Sequence, residues 1–159
     1  MELRENEQVL KIFRHHPTPF IFQIVKTILA FFPFFFLVVL LREAFSTKWF
    51  LLTHLMLFLL FTLVVVYLAL IYWLDQLVVT NQRVIHIDWK YLTVRDEAEA
   101  LLDDIMDVQT EEKGILSKLR FFDYGTLRMD TSSSYVTLEF FDAPDPEGIR
   151  KFVFHVKNQ

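Results

Sequence analysis

Hydrophobic and polar positions divide the chain into two long apolar stretches and a series of short alternating runs. The apolar stretches cover residues 20–41 and 49–74, and only seven residues separate them. As a helix rising about 1.5 Å per residue, the second stretch reaches about 39 Å, more than the roughly 30 Å hydrocarbon layer requires. It contains no Asp, Glu, Lys or Arg. The pattern predicts a transmembrane helical hairpin over residues 20–74.

The short connection between the two spans fixes the predicted topology of the hairpin. Helices joined by so few residues lie antiparallel, so both termini of the chain are expected on the same side of the membrane. The cations that flank the first span on its amino-terminal side are Arg4, Lys11 and Arg14, against Arg42 and Lys48 in the connection. The excess favours cytoplasmic termini.

Residues 1–19 form a polar leader with a few apolar positions. Val9, Leu10, Ile12 and Phe13 are compatible with one side of a short interfacial helix that ends before Pro17. An ordered juxtamembrane lead-in is the interpretation we favour.

After Asp75 the pattern changes to the two-residue period of β-strands. The runs at residues 77–80 and 84–89 flank Asn81 and are predicted to form a hairpin. Further strands are predicted at 91–95, 98–102, 105–110, 126–130 and 135–141. Together they predict an antiparallel β-barrel of about seven strands.

Alternation assigns faces to these strands. Leu127 and Met129 share one face of their strand, and Leu138 and Phe140 share one face of the next. By the same rule His86, between two isoleucines, is expected to face solvent.

The last residues return to a helical pattern. Asp145 is a predicted N-cap followed by Pro146, and the apolar positions repeat at helical spacing. These positions are Ile149, Phe152, Val153 and Val156. We expect this helix to cap the barrel, which makes residues 75–159 one cytoplasmic domain.

Charge and composition narrow the possible partners. From residue 75 onward there are ten Lys and Arg against sixteen Asp and Glu, a net charge of −6. An acidic domain is repelled by phosphate backbones, so nucleic acid is not an expected partner. The chain has no cysteine, which removes thiol chemistry and Cys-based metal sites.

The titratable residues form no recognisable catalytic or metal-binding constellation. The adjacent His15 and His16 point to different sides of a helix, and headgroup contact is expected for them rather than metal binding. Asp103, Asp104 and Asp107 lack the glycine and the spacing of a calcium loop. We therefore predict no cofactor, no metal and no enzymatic activity.

Two polar residues, Lys26 and His54, lie within the predicted spans, and ionisable groups inside a membrane are often functional. Both lie near span ends, where they can reach the interface. The alternative is a small transport or channel subunit in which they line a path.

The segment 114–122 is the candidate interaction surface, because large apolar residues flank two cations there. Its residues are Ile115, Leu116, Lys118, Leu119, Arg120, Phe121 and Phe122. Core packing of some of its apolar residues is the competing interpretation.

The order of several short motifs resembles that of the bacterial pleckstrin-homology-like (PH-like) membrane proteins. The motifs are Glu7-Gln8-Val9-Leu10, Arg14-His15-His16-Pro17, Val79-Thr80-Asn81-Gln82-Arg83-Val84-Ile85, Leu102-Asp103-Asp104-Ile105-Met106-Asp107-Val108, Gly114-Ile115-Leu116, Tyr124-Gly125-Thr126 and Asp142-Ala143-Pro144-Asp145-Pro146-Glu147. The resemblance covers nearly the whole chain. It implies a PH-like barrel on the cytoplasmic face of a bacterial cytoplasmic membrane.

The resemblance leaves the biochemical role open. Phosphoinositide-binding PH domains place several basic residues around their first hairpin, whereas the turn at residues 80–83 has Arg83 alone, which argues against a phosphoinositide ligand. We expect a non-catalytic binding or scaffolding module that contacts the lipid bilayer and a protein partner, or forms a homo-oligomer. Lipid sensing by the domain is a further alternative.

Overall fold

The computed structural model describes residues 3–112, 124–132 and 137–158, which fold into two compact units. The helical unit is residues 17–70, and the sheet unit is residues 1–16 together with 71–159. The elements in chain order are β1 (Val9–Arg14), α1 (Pro17–Leu40), a 3₁₀ helix (Arg42–Ala44), α2 (Thr47–Leu74), β2 (Gln76–Thr80), β3 (Arg83–Tyr91), β4 (Val94–Leu101), β5 (Ile105–Glu112), β6 (Tyr124–Thr131), β7 (Thr137–Pro144) and α3 (Pro146–Lys157).

The helical unit is an antiparallel pair. The rings of Phe31 and Phe61 meet edge to face at 5.4 Å, and Phe35 lies 6.2 Å from the ring of His54, so the helices run in opposite directions. The helices α1 and α2 have 24 and 28 residues and are long and apolar enough to cross a membrane by length and composition. The two predicted long helices are therefore confirmed.

The sheet unit contains two antiparallel sheets. The first has the order β1-β2-β3-β4 and the second the order β5-β6-β7. The hairpin predicted around Asn81 is present as β2 and β3, with Val78 opposite Ile85. The runs predicted at residues 91–95 and 98–102 are not separate strands, because β4 contains the last two residues of the first run and the first four of the second.

The leader contributes the first strand of this sheet. β1 pairs with β2, so Ile12 lies opposite Val78, and Phe13 packs edge to face on Phe152 at 5.8 Å. The apolar residues of the leader therefore belong to a strand and not to an interfacial helix. Since α1 and α2 lie between β1 and β2 in the sequence, the helical hairpin is an insertion between two neighbouring strands.

One core fills the space between the two sheets and α3. As predicted, Leu127, Met129, Leu138 and Phe140 are fully buried in it. From α3 it receives Ile149 and Val153, while Phe152 and Val156 pack at its edge, in agreement with the helical period. The remaining buried members are Leu77, Val79, Val84, Ala100, Leu102, Ile105, Val108 and Ala143.

The strand β3 is buried on both faces. Ile85 and Ile87 form a second apolar cluster with Val78 and Trp89, on the side of the sheet opposite the main core. The alternate position His86 therefore points towards the main core and is 8% exposed. The expectation that His86 faces solvent was wrong, because alternation identifies two faces but cannot show that both are covered.

Candidate functional site

The chain passes between the sheet unit and the helical hairpin through very short connectors. β1 ends at Arg14 and α1 begins at Pro17, so His15 and His16 form the first connector. Asp75 alone separates α2 from β2 and forms the second. Because β1 and β2 are neighbours, both connectors lie at the same end of one strand pair.

These connectors supply two members of a buried charged cluster. His15 Nε2 lies 3.0 Å from Asp75 Oδ2, and His86 Nε2 lies 3.4 Å from Asp75 Oδ1. The side chains of His15, Asp75 and His86 are 13%, 15% and 10% exposed. The distances suit hydrogen bonds but the alignment does not, so the attraction is mainly electrostatic.

The neighbours of His15 determine its charge. Its Nδ1 lies 2.6 Å from the carbonyl oxygen of Phe141, which can only accept a hydrogen bond. Its Nε2 faces the carboxylate of Asp75, which accepts as well. Two acceptors beside the ring favour a proton on each nitrogen, so this arrangement favours the imidazolium form of His15.

Electrostatics favour the same state. Burial acts to lower the pKa of His15, but Asp75, the Phe141 carbonyl and Asp142 together outweigh burial, and the pKa is raised above its ordinary value. Burial acts to raise the pKa of Asp75, but the contacts with His15 and His86 outweigh it and the pKa is lowered. Both shifts favour the charged forms of His15 and Asp75.

The surroundings of the cluster are aromatic and apolar. The ring of Phe140 lies 4.7 Å from His15 and 5.4 Å from His86. Tyr72, in the last turn of α2, donates its hydroxyl proton to the carbonyl oxygen of His15 at 2.7 Å. The cluster thus joins both connectors to β3 and β7.

The headgroup role expected for the adjacent histidines does not fit this geometry. His15 is enclosed as described, and His16 stacks on Tyr124 at 5.5 Å while its backbone N–H donates to the carbonyl oxygen of Asp142 at 2.7 Å. Both histidines therefore make these contacts within the sheet unit. Sequence analysis missed the cluster because Asp75 looked like a simple boundary between helix and strand.

A second charged network joins the leader to the turn between β2 and β3. Arg83 donates two hydrogen bonds to the carboxylate of Glu7, at 2.9 and 3.0 Å, and also pairs with Glu99. Thr80 donates to Glu7 at 2.8 Å and the backbone N–H of Arg4 does so at 2.7 Å. Arg83, with these contacts, lowers the pKa of Glu7 to about 2.

The position of this network is relevant to whether Arg83 could bind a phosphoinositide. The turn at residues 80–83 joins the second strand to the third, because the helical hairpin occupies the connection between β1 and β2. The sequence analysis compared this turn with the first hairpin of phosphoinositide-binding PH domains. In the structure the turn follows the second strand, so that comparison was made at the wrong place. The guanidinium of Arg83 is bound by carboxylates on two sides and is almost fully buried.

The two polar residues of the spans are not brought together. His54 Nδ1 lies 3.1 Å from the carbonyl oxygen of Phe50 one turn earlier, and its ring contacts Phe35 and Phe50. Lys26 lies nine residues before Phe35 on α1, about 14 Å along the helix, and is exposed. Within one hairpin these two residues therefore lie at different depths.

Between the helices there is an apolar cavity of about 250 Å³. Its lining residues are Ile28, Phe31, Phe32, Phe35, Phe58 and Phe61. None of them is polar, so this cavity gives no path for an ion.

The remaining candidate residues have different outcomes. The proposed interaction segment, Ile115, Leu116, Lys118, Leu119, Arg120, Phe121 and Phe122, lies outside the described residues. Within the part of the chain that the structure describes, no group of three His, Asp or Glu side chains is arranged to hold a metal ion.

Apolar side chains are exposed at both edges of the first sheet. On β1 these are Val9, Leu10 and Ile12, of which Ile12 is 49% exposed. On β4 and the turn before it they are Leu92, Val94 and Leu101. In the described residues each of these strands pairs along one side only, with β2 and β3 respectively.

A family model described as "Bacterial PH domain" matches residues 21–157. The chain belongs to this bacterial PH domain family. The matched residues include α1 except for its first four residues, all of α2 and every strand after β1, so the family match begins only after the strand that precedes the hairpin.

One solved structure is similar to this bacterial PH domain protein. It is the crystal structure of a DUF1696 family protein with a pleckstrin-homology domain from Shewanella loihica PV-4, with 24% identity and a TM-score of 0.40. The match covers 52% of this chain and 70% of the other. The comparison with curated proteins found no match.

Proposed function

We propose that this bacterial PH domain protein is a membrane-anchored, non-catalytic binding or scaffolding module at the cytoplasmic face of the bacterial cytoplasmic membrane. The observation that carries the proposal is the insertion of the apolar hairpin between β1 and β2. A domain with the hairpin inserted in its sequence is connected to that hairpin twice, by two residues before α1 and by one residue after α2.

The dimensions of the helices support insertion into a bilayer. At about 1.5 Å per residue, α1 and α2 are about 36 and 42 Å long, enough for a hydrocarbon layer of about 30 Å. Their surfaces are predominantly apolar and exposed along their length, which in water would be unfavourable. The excess of positive charge before the first helix supports a cytoplasmic position for both termini.

The sheet edges are the proposed binding surface. An edge strand offers unpaired backbone N–H and C=O groups, to which an extended segment can add as a further strand. The edge β1 carries apolar side chains and Lys11 and Arg14, whereas β4 carries three carboxylates, Asp96, Glu97 and Glu99, against one arginine, Arg95. The two edges therefore differ in charge and favour different segments of a partner or of a second copy.

A binding role also agrees with the state of the polar groups. The side chains of the His15–Asp75–His86 cluster are largely buried and contact one another, which supports a structural role for these groups. Arg83 is held by Glu7 and Glu99, so a phosphoinositide would first have to displace two carboxylates.

Two measurements on native bacterial membranes test the proposal. First, the full chain should stay with the vesicles in an alkaline carbonate wash, and release into the supernatant would refute membrane anchoring. Second, a photo-crosslinking amino acid at Ile12 or Val94 should give a discrete adduct with a membrane protein or with a second copy. The matched control is Glu139, which is paired with Arg128 on the other sheet. Equal labelling at all three positions would refute binding at the edges.

A further inference from the structure

Most arginines of the chain are neutralised by carboxylates. Seven arginines lie within the described residues, and five of them form ion pairs with Asp or Glu side chains. The paired arginines are Arg4, Arg83, Arg95, Arg128 and Arg150. Over the same residues, Arg14 and Arg42 have no carboxylate partner.

Both of these arginines lie on aromatic rings. The Cζ atom of Arg14 is 4.9 Å from the ring centroid of Trp73, and that of Arg42 is 4.5 Å from the ring centroid of Phe50. Trp73 is 58% exposed, and both arginines are exposed. A guanidinium held against a ring keeps its N–H donors along its edge, where they can bind a planar or tetrahedral anion.

Their positions in the chain are related to the helical hairpin. Arg14 comes just before α1 and Arg42 just after it, while Trp73 and Phe50 lie in the last and first turns of α2. The 24 residues of α1 extend about 36 Å, and the long side chains of arginine reach further. A bilayer including its headgroup regions is about 40–45 Å thick. The two arginines therefore suit the phosphate levels of opposite leaflets.

We propose that Arg14 with Trp73, and Arg42 with Phe50, are two binding sites for the phosphate group of bilayer phospholipids, one in each leaflet. In each site the guanidinium donates hydrogen bonds to phosphodiester oxygens, and the ring holds it at the headgroup level. The geometry matches phosphate because the edge of a guanidinium presents parallel N–H donors to two oxygens. This inference rests on the proposed membrane insertion.

Solid-state NMR on the full chain tests the two sites directly. The protein is labelled with ¹³C at arginine Cζ and reconstituted in vesicles of phosphatidylcholine with a minority of phosphatidylglycerol. Dephasing by lipid ³¹P should be strong for two arginine signals. One should disappear with Arg14→Gln and the other with Arg42→Gln. The control Arg95→Gln, which removes an exposed arginine paired with Glu97, should leave both dephased signals in place.

Several results would overturn the proposal. These are the absence of ³¹P dephasing at signals assigned to Arg14 and Arg42, or its persistence in both variants. A parallel sample in maltoside micelles with inorganic phosphate separates the sources: equal dephasing there would mean that the sites bind phosphate in general and not a lipid. If the protein resists carbonate but shows no dephasing, the headgroup sites fail while membrane anchoring stands.

The aromatic rings have their own control. Trp73→Leu should weaken the dephasing of the Arg14 signal and leave that of Arg42 unchanged, since each ring positions only its own guanidinium. A near-ultraviolet circular dichroism spectrum that matches the wild type in other bands confirms that the variant is folded. An unchanged Arg14 signal in a folded Trp73→Leu protein would refute the role of the ring.

Discussion

His15 and Asp75 lie on the two connectors between the sheet unit and the helical hairpin, and their Nε2 and Oδ2 atoms are 3.0 Å apart. The contact links the end of β1, where the chain continues into α1, to the start of β2, where the chain follows α2. A charged pair at this position stabilises the residues that connect the two units. Loss of the pair should therefore destabilise these connecting residues before other parts of the sheet unit.

The isosteric substitution Asp75→Asn tests the pair. It removes the carboxylate and leaves the imidazolium of His15 enclosed beside a neutral amide. Breaking a buried ion pair by removing one partner costs about 3–5 kcal/mol, and the residual exposure here lowers our expectation to about 2 kcal/mol. The measurement is urea unfolding of the full chain in detergent, followed by near-ultraviolet circular dichroism. The exposed Asp103→Asn is the control, and equal stability of the two variants would contradict the role of Asp75.

The same pair predicts a dependence on pH with two limits. The pKa of His15 is raised, so its contribution to stability is complete below the ordinary value of 6.5 and is lost as the pH rises through the raised pKa. The pKa of Asp75 is lowered, so its contribution is complete above 3.8 and is lost as the pH falls through the lowered pKa. Protection of the His16 amide from hydrogen exchange, corrected for intrinsic rates, should therefore be greatest between these values. A flat profile, or one unchanged by Asp75→Asn, would contradict the prediction.

Glu7 provides a separate prediction at lower pH. Its pKa is about 2 instead of 4.5, so its stabilisation is present above 4.5 and is lost as the pH falls towards 2. One pKa unit corresponds to about 1.4 kcal/mol, which gives a total of about 3 kcal/mol. The variant Glu7→Gln should lose this amount at pH 7 in the same unfolding experiment and show a weaker acid dependence. Glu5→Gln, at an exposed position, should change neither; an acid transition of wild-type size in Glu7→Gln would refute the assignment.

The start of α3 gives a prediction based on backbone geometry. Asp145 has a positive φ of 46° and accepts a hydrogen bond from the backbone N–H of Gly148 at 2.9 Å. Asp145→Ala removes the cap and keeps a Cβ in the left-handed region, so it should cost about 1–2 kcal/mol. Asp145→Asn keeps the acceptor and tolerates this conformation, so it should be nearly neutral. Similar losses in both variants would show that the cap is not what stabilises the helix start.

Features with a local cause could be predicted from the sequence. The alternation of Leu127 and Met129 placed both in the core, and the spacing of Ile149 and Val153 gave the buried face of α3. The expected N-cap Asp145 is present for the same reason, since capping depends on residues within one turn. Each of these predictions needed only neighbours that are close in the chain.

The candidate site depended on contacts between distant residues. His86 was expected to face solvent because its strand alternates, but it lies against Phe140 of the main core, while Ile85 belongs to a second buried cluster on the other side of the strand. Leader residues such as Ile12 were compatible with a helix or an ordered lead-in, and pairing with Val78 settled them as a strand.

By itself, the sequence determined the two long apolar helices, the run of strands after them and the terminal helix, because hydrophobic periodicity and capping act over a few residues. Tertiary structure alone decided that the leader joins the sheet and that the hairpin is an insertion between β1 and β2. It also brought His15, Asp75 and His86 together. The physical reason is that strand pairing and burial depend on which segments become neighbours after folding. A local pattern of residues does not identify a contact partner many residues away in the sequence.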